Sequence, residues 1–143
     1  MAKKVRTEAD LSIHDGRYRS FEWYWSSDDS MPGLDAYEIL PQASQDEFLA
    51  SIRHWGNVER GKRPAESRVN QEHAEPLIVA VKAGKHRFTS FREAAGPTWV
   101  VCHHYVKQSE RRDKSGDRAV KQTIKSRNVY RALVNEGAYY ERS

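Results

Sequence analysis

The side chains best suited to chemistry concentrate in residues 98–112, TWVVCHHYVKQSERR. Alternation along a strand would put Trp99, Val101, His103 and Tyr105 on one face and Val100, Cys102 and His104 on the other. Two histidines that point to opposite faces are poorly placed to ligate one metal ion. Cys102 has apolar neighbours, which disfavour a thiolate. The segment therefore argues against a metal site and against a cysteine nucleophile.

Basic residues are the stronger candidates. Lysine and arginine side chains can hold phosphate groups and stabilise the charge that develops during phosphoryl transfer, while histidine and tyrosine can move protons. RNA cleavage by the ribose 2′-OH needs no metal, which suits a chain without a metal motif. The alternative interpretation is that several of these cations are solvated surface charges. The candidates for nucleic-acid binding are Lys62, Arg63, Lys85, Arg92, Lys107, Arg111, Arg112 and Lys114.

The distribution of charge supports this emphasis on cations. The chain has 143 residues, a net charge of +4 and a mean hydropathy of -0.88. Residues 1–57 carry six Lys or Arg against ten Asp or Glu, whereas residues 58–143 carry eighteen against ten. A basic portion of this kind is typical of nucleic-acid or ribosome binders, although a charged soluble surface explains it equally well. No apolar run is long enough for a membrane span and the N-terminus lacks a signal pattern, so we expect a cytoplasmic protein without a membrane partner.

The elements that must position these residues follow from periodicity and turn signals. Residues 1–20 are interpreted as a polar arm, and residues 135–143 as a tail beyond the last helix. Ser44 and Glu47 have the spacing of a capping box before a helix over residues 45–55. Strands are expected at 21–26, 77–82, 86–93 and from 98, the last three forming an antiparallel meander. A basic loop over 57–76 and a helix over 117–134 complete a single domain.

This order of elements resembles the RelE/HigB superfamily of type II toxin–antitoxin toxins, across about residues 55–130. The strand 77–82 is similar to the family's first meander strand. The segment His86–Phe91, HRFTSF, is similar to the family's strand that begins with an aromatic residue and arginine. Val100–Ser109, VVCHHYVKQS, resembles the stretch that precedes the last helix, especially in HigB-like and phage-derived members.

The resemblance implies an α+β class and a compact RelE-like domain, with a twisted antiparallel sheet of about four strands and helices on one face. It also implies a ribosome-dependent mRNA endonuclease that is neutralised by a cognate antitoxin and uses no cofactor. By position, Arg87 matches the family's arginine and Lys107 the lysine at the strand end. His73, His104 and Tyr140 are the other candidate catalytic residues.

Departures from the family pattern keep a second function open. The family's first meander strand usually ends in Glu-Leu-Arg, whereas Val79, Ala80 and Val81 occupy those positions here. A chain without that arginine could be a non-enzymatic relative that acts by protein binding, as a topoisomerase inhibitor or as an inactive phage-encoded module. A DNA-binding role has less support, because no helix-turn-helix signature is present.

Overall fold

The computed structural model describes residues 7–93, 96–108 and 114–140. The strands are β1 Ser12–Asp15, β2 Ser20–Trp23, β3 Val69–His73, β4 Ile78–Ala83, β5 His86–Arg92 and β6 Thr98–Val106. The helices are α1 Glu8–Leu11, α2 Pro32–Glu38, α3 Gln42–Gly56 and α4 Lys114–Asn135. The α+β class expected from the sequence is confirmed.

The strands form one sheet in the order β1-β2-β6-β5-β4-β3. The antiparallel meander β4–β5–β6 is as expected, with short turns between its strands. The expected sheet of about four antiparallel strands is wrong in two respects. There are six strands in the described part of the chain, and β2 runs parallel to β6. The two additional strands, β1 and β3, come from polar segments that do not suggest a place in a sheet.

Helices cover both faces of this sheet. Phe88 in β5 packs on Phe48 of α3, with ring centroids 4.6 Å apart. Its neighbour Thr89 shares a hydrogen bond of 2.6 Å with Thr123 of α4. Because successive strand residues point to opposite faces, α3 and α4 lie on opposite sides of the sheet. The expectation of helices on one face is therefore wrong.

An irregularity in the pairing of β5 with β6 changes which residues share a face. The register shifts between Thr89 and Ser90, which pair with His103 and Val101. Trp99 packs on Trp55 of α3, whereas His103 hydrogen-bonds Ser126 of α4. The extra residue of the bulge reverses the alternation, so Trp99 and His103 do not share a face as strict alternation predicts.

Both terminal segments contribute to the core. The segment expected to be an arm forms α1 and β1, and Leu11 within it is fully buried. In the expected tail, Tyr139 is buried and its hydroxyl accepts a hydrogen bond of 2.7 Å from the Trp25 backbone N–H. Helix α3 begins three residues before Gln45, directly after Pro41, so Ser44 lies inside the helix and is not its cap.

In the part of the chain that the structure describes, no helix is both long and apolar enough to cross a membrane.

Candidate functional site

A lysine–arginine cluster lies where β4 ends and β5 begins. We define it as Arg68, Lys82, Arg87 and Lys107. Lys82 and Arg87 are directly paired residues of the β4–β5 hairpin, whose turn contains Gly84 at a φ of 61°. Arg87 is also paired with Tyr105 of β6, and the backbone N–H of Lys107 donates to Lys85. The hairpin, the end of β6 and Arg68, whose backbone oxygen accepts from the Lys82 N–H, thus bring cations to one end of the sheet.

The electrostatics of this cluster favour an anionic ligand. Burial, followed by the positive charges of Arg87 and Lys107, lowers the pKa of Lys82, while Glu72 and Glu66 act in the opposite direction. The like charges raise the free energy of the empty site, and a bound phosphate would offset that repulsion. An adjoining cavity of about 510 Å³ is lined by Glu47, Ser67, Arg68, Lys82, Gly84 and Arg87.

A carboxylate–phenol pair lies beside these cations. The Tyr105 hydroxyl donates a 2.6 Å hydrogen bond to Glu72 Oε1, which connects β6 to β3. Glu72 is close enough to Lys82 to affect its pKa. The site therefore combines a positioned carboxylate, which can accept a proton, with cations that can bind a phosphate.

The four predicted catalytic residues are not brought together. Arg87 belongs to the cluster, where its guanidinium donates to the backbone oxygens of Gly84 and His86. His73 pairs with Ile78, at the opposite end of β4 from Lys82, and its Nδ1 is 2.8 Å from the Pro76 oxygen.

His104 and Tyr140 lie elsewhere. His104 faces α3, on the side of the sheet opposite Thr89, and its Nε2 is 2.9 Å from His86 Nδ1. Burial, followed by the charge of His86, lowers the pKa of His104. Tyr140 donates a 2.7 Å hydrogen bond to Glu22 of β2, and burial, followed by the charge of Glu22, raises its pKa.

The predicted nucleic-acid-binding residues divide into separate groups. Lys85 and Lys107 lie at the cluster, whereas Arg63 and Arg92 line cavities at the other end of the sheet. Lys62 forms an exposed ion pair of 3.7 Å with Glu59. Lys114 is exposed at the start of α4. Arg111 and Arg112 lie outside the described residues.

The second concentration of cations is an arginine cleft, defined here by Arg19, Arg60, Arg63 and Arg92. A cavity of about 350 Å³ is lined by Tyr18, Arg19, Arg60, Gly61, Arg92, Pro97 and Trp99. A neighbouring cavity of about 480 Å³ shares Arg19 and Trp99 with it and is also lined by Arg63. Burial and the charges of Arg60 and Arg92 lower the pKa of Arg19.

Sequence reasoning does not identify Glu72, Lys82 or Arg19. Glu72 lies in a segment interpreted as loop, because Val69–His73 has one apolar residue and therefore no apolar–polar alternation. Lys82 is recognisable only as the end of an apolar strand. Arg19 lies in the segment interpreted as an arm, and no local signal indicates that it would meet residues some forty positions away.

The described residues contain no group of three or more histidine, cysteine, aspartate or glutamate side chains able to hold a metal ion. Cys102 is fully buried, and burial raises the pKa of its thiol well above the usual value. The thiol is therefore protonated at neutral pH, and nucleophilic chemistry at this position is disfavoured.

Comparison of the chain with protein-family models and with curated proteins found no match in either case.

Proposed function

We propose that the protein is a toxin of the type II toxin–antitoxin class that cleaves mRNA on the ribosome, with the lysine–arginine cluster as its reaction site. The carrying observation is the Tyr105–Glu72 hydrogen bond beside Lys82, Arg87 and Lys107. The RelE/HigB resemblance of the sequence agrees with this proposal. The proposed partners are the ribosome, mRNA and a cognate antitoxin protein.

The chemistry would be an in-line attack by the ribose 2′-OH on the adjacent phosphorus. The Glu72 carboxylate would take the 2′-OH proton, and the Tyr105 hydroxyl would hold that carboxylate in position. Arg87 and Lys107 would neutralise the charge on the phosphoryl oxygens. The P–O5′ bond breaks, and the products are a 2′,3′-cyclic phosphate and a 5′-hydroxyl end.

Lys82 is the group best suited to protonate the departing 5′ oxygen. Burial, followed by the charges of Arg87 and Lys107, lowers its pKa, which makes the ammonium a stronger acid than an ordinary lysine. Lys82 also provides a cation at the end of β4, one residue after the position where the family pattern has an arginine and this chain has the buried Val81.

The proposal is tested with purified protein, translating ribosomes and a defined mRNA. We expect cleavage that requires the ribosome and leaves 2′,3′-cyclic phosphate ends, and no cleavage where the 2′-OH before the scissile phosphate is replaced by hydrogen. Glu72→Gln and Arg87→Gln should each slow cleavage at least about a hundredfold, the range for loss of one acid–base or charge-stabilising group.

Arg53→Gln is the matched control, because Arg53 is exposed on α3 and lines neither cationic site. It should cleave at the unaltered rate. Intact mRNA with the unaltered protein, or full activity of Glu72→Gln, would contradict the proposed reaction. Induced expression in bacteria gives a second readout, since growth arrest should disappear with Arg87→Gln and persist with Arg53→Gln.

The separation of Arg87, His73, His104 and Tyr140 favours a second function, which is inhibition of a topoisomerase by protein binding. In that case the cations would form an interface and no RNA would be cut. A DNA gyrase supercoiling assay distinguishes the two. Inhibition of supercoiling together with intact mRNA would establish the second function and remove the first.

A further inference from the structure

The arginine cleft lies apart from the lysine–arginine cluster. Arg92 and Arg87 are at opposite ends of β5, five residues apart, or about 16 Å along a strand at roughly 3.3 Å per residue. A single phosphate bound at the proposed cleavage site therefore does not reach the cleft.

The cleft holds like charges close together without neutralising them. Arg19 is oriented by two hydrogen bonds from Nη1, to the backbone oxygens of Trp55 at 3.1 Å and Val58 at 2.6 Å. These carbonyls belong to the end of α3 and the residues that follow. The remaining donors of the guanidinium are available to a ligand.

The arginines of this cavity have no ion-pair partner among the described residues, and the Glu66 carboxylate lies in the neighbouring cavity. Across the ranges that the structure describes, no aspartate or glutamate forms an ion pair with Arg19, Arg60 or Arg92. The charges of Arg60 and Arg92 are near enough to lower the pKa of Arg19. Three unneutralised guanidinium groups around one cavity form a site for a multiply charged anion, since each can donate paired hydrogen bonds to phosphate oxygens.

The neighbouring cavity has a different character. Its apolar walls are Trp55, Pro64, Val69, Leu77, Val79 and Trp99. Asn70, Gln71 and the Glu66 carboxylate also line it, together with Arg19 and Arg63. Apolar walls suit the faces of a flat heterocycle, and the Asn70, Gln71 and Glu66 side chains can form hydrogen bonds with its edge. The two cavities meet at Arg19 and Trp99, and their volumes of about 350 and 480 Å³ are of the size that small ligands occupy.

We propose that the arginine cleft binds a free nucleotide, with its phosphates among Arg19, Arg60 and Arg92 and its base in the cavity beside Asn70 and Gln71. The proposal is independent of RNA cleavage at the other end of the sheet.

Isothermal titration calorimetry on the full chain tests the proposal, with adenosine and guanosine mono- and triphosphates, pyrophosphate and a short single-stranded RNA as probes. We expect one saturable site for at least one nucleotide, and weaker binding of pyrophosphate. Arg60→Gln and Arg92→Gln, both at exposed positions, should each weaken nucleotide binding about ten- to a hundredfold. Arg53→Gln should leave it unchanged.

Leu77→Trp tests the cavity proposed for the base independently of the arginines proposed for the phosphates. Leu77 is 39% exposed, so a larger side chain can be accommodated there while narrowing the base cavity. Nucleotide binding should weaken and pyrophosphate binding should persist. Absence of nucleotide binding, nucleotide binding that Arg60→Gln and Arg92→Gln leave unchanged, or binding of RNA alone would each overturn the proposal. Cleavage activity is measured separately in Arg60→Gln and should be retained, because Arg60 lies outside the lysine–arginine cluster.

Discussion

At the scale of single residues, the adjacent histidines have different environments. His103 hydrogen-bonds Ser126 on the α4 side, and His104 contacts His86 and Phe88 on the α3 side. Burial is the main cause that lowers the pKa of each ring. The neutral form of each is therefore the form that the fold stabilises.

The lowered pKa values of His103 and His104 predict that the free energy of unfolding depends on pH. In the unfolded chain both rings take up a proton near pH 6.5, whereas in the fold they do so only at lower pH. Below about pH 6.5 the unfolded state therefore binds more protons, and the free energy of unfolding decreases as the pH falls. Urea unfolding at pH 8, 6.5 and 5 measures this decrease.

The double variant His103→Gln, His104→Gln is the comparison. It should lose less stability than the unaltered protein between pH 8 and pH 5, because it lacks the two groups that titrate differently on unfolding. Measurement at pH 8, where both histidines are neutral, establishes the baseline stability of the variant. An equal loss in both proteins would show that other groups cause the decrease.

At the scale of elements, the close approach of two backbones joins the β1–β2 turn to the end of α3. A Cβ atom on Gly16 would lie 2.6 Å from the Gly56 Cα, which is too short for any stable packing. The backbone N–H groups of Tyr18 and Arg19 both donate to the Gly56 oxygen. This junction places Arg19 beside the loop that contains Arg60.

Gly16→Ala should therefore destabilise the protein by about 1–3 kcal/mol, the usual cost of forcing extra atoms into a packed region. Gly96→Ala is the matched control, since a Cβ there meets nothing within 4 Å and the change should alter stability by less than about 0.5 kcal/mol. Thermal unfolding of the two variants gives the comparison. Equal melting temperatures would show that the turn moves away from α3 without cost.

The sequence alone predicts the central part of this fold but not the two edge strands of its sheet. The meander and both long helices follow from their own periodicity and turns. β1 and β3 escape prediction because they are short, polar strands at the two edges of the sheet, where only one side of the backbone is paired. The role of Tyr139 depends on a hydrogen bond to Trp25, 114 residues away, and no local pattern encodes such a contact.

The candidate sites are predictable in kind but not in arrangement. Residue type and net charge indicate anion binding, and Arg87, Lys107, Arg63 and Arg92 do line or adjoin cationic sites. Their division between two ends of the sheet depends on strand register, and the bulge in β6 alters that register by one residue. The hydrogen bond between Tyr105 in β6 and Glu72 in β3 crosses two intervening strands, so it is visible only in the tertiary structure.

At the scale of the whole molecule, the cations of the described residues are gathered in patches as well as spread along α4. Lys121 and Lys125 are exposed on that helix and line neither cationic site. Long-range attraction of RNA would follow from net charge alone, whereas bound phosphates require cations held in fixed positions. The salt dependence of RNA affinity distinguishes long-range attraction by the net charge from phosphates bound by fixed cations.

Binding of a short single-stranded RNA, followed by fluorescence anisotropy between about 50 and 200 mM salt, should weaken linearly on a double-logarithmic plot. Arg87→Gln with Lys107→Gln should make the slope shallower by about 0.7 for each phosphate that the protein no longer neutralises. Lys121→Gln with Lys125→Gln removes the same charge from α4 and should leave the slope nearly unchanged. If both double variants reduce the slope equally, RNA is attracted by the surface as a whole and the cluster has no special role in binding it.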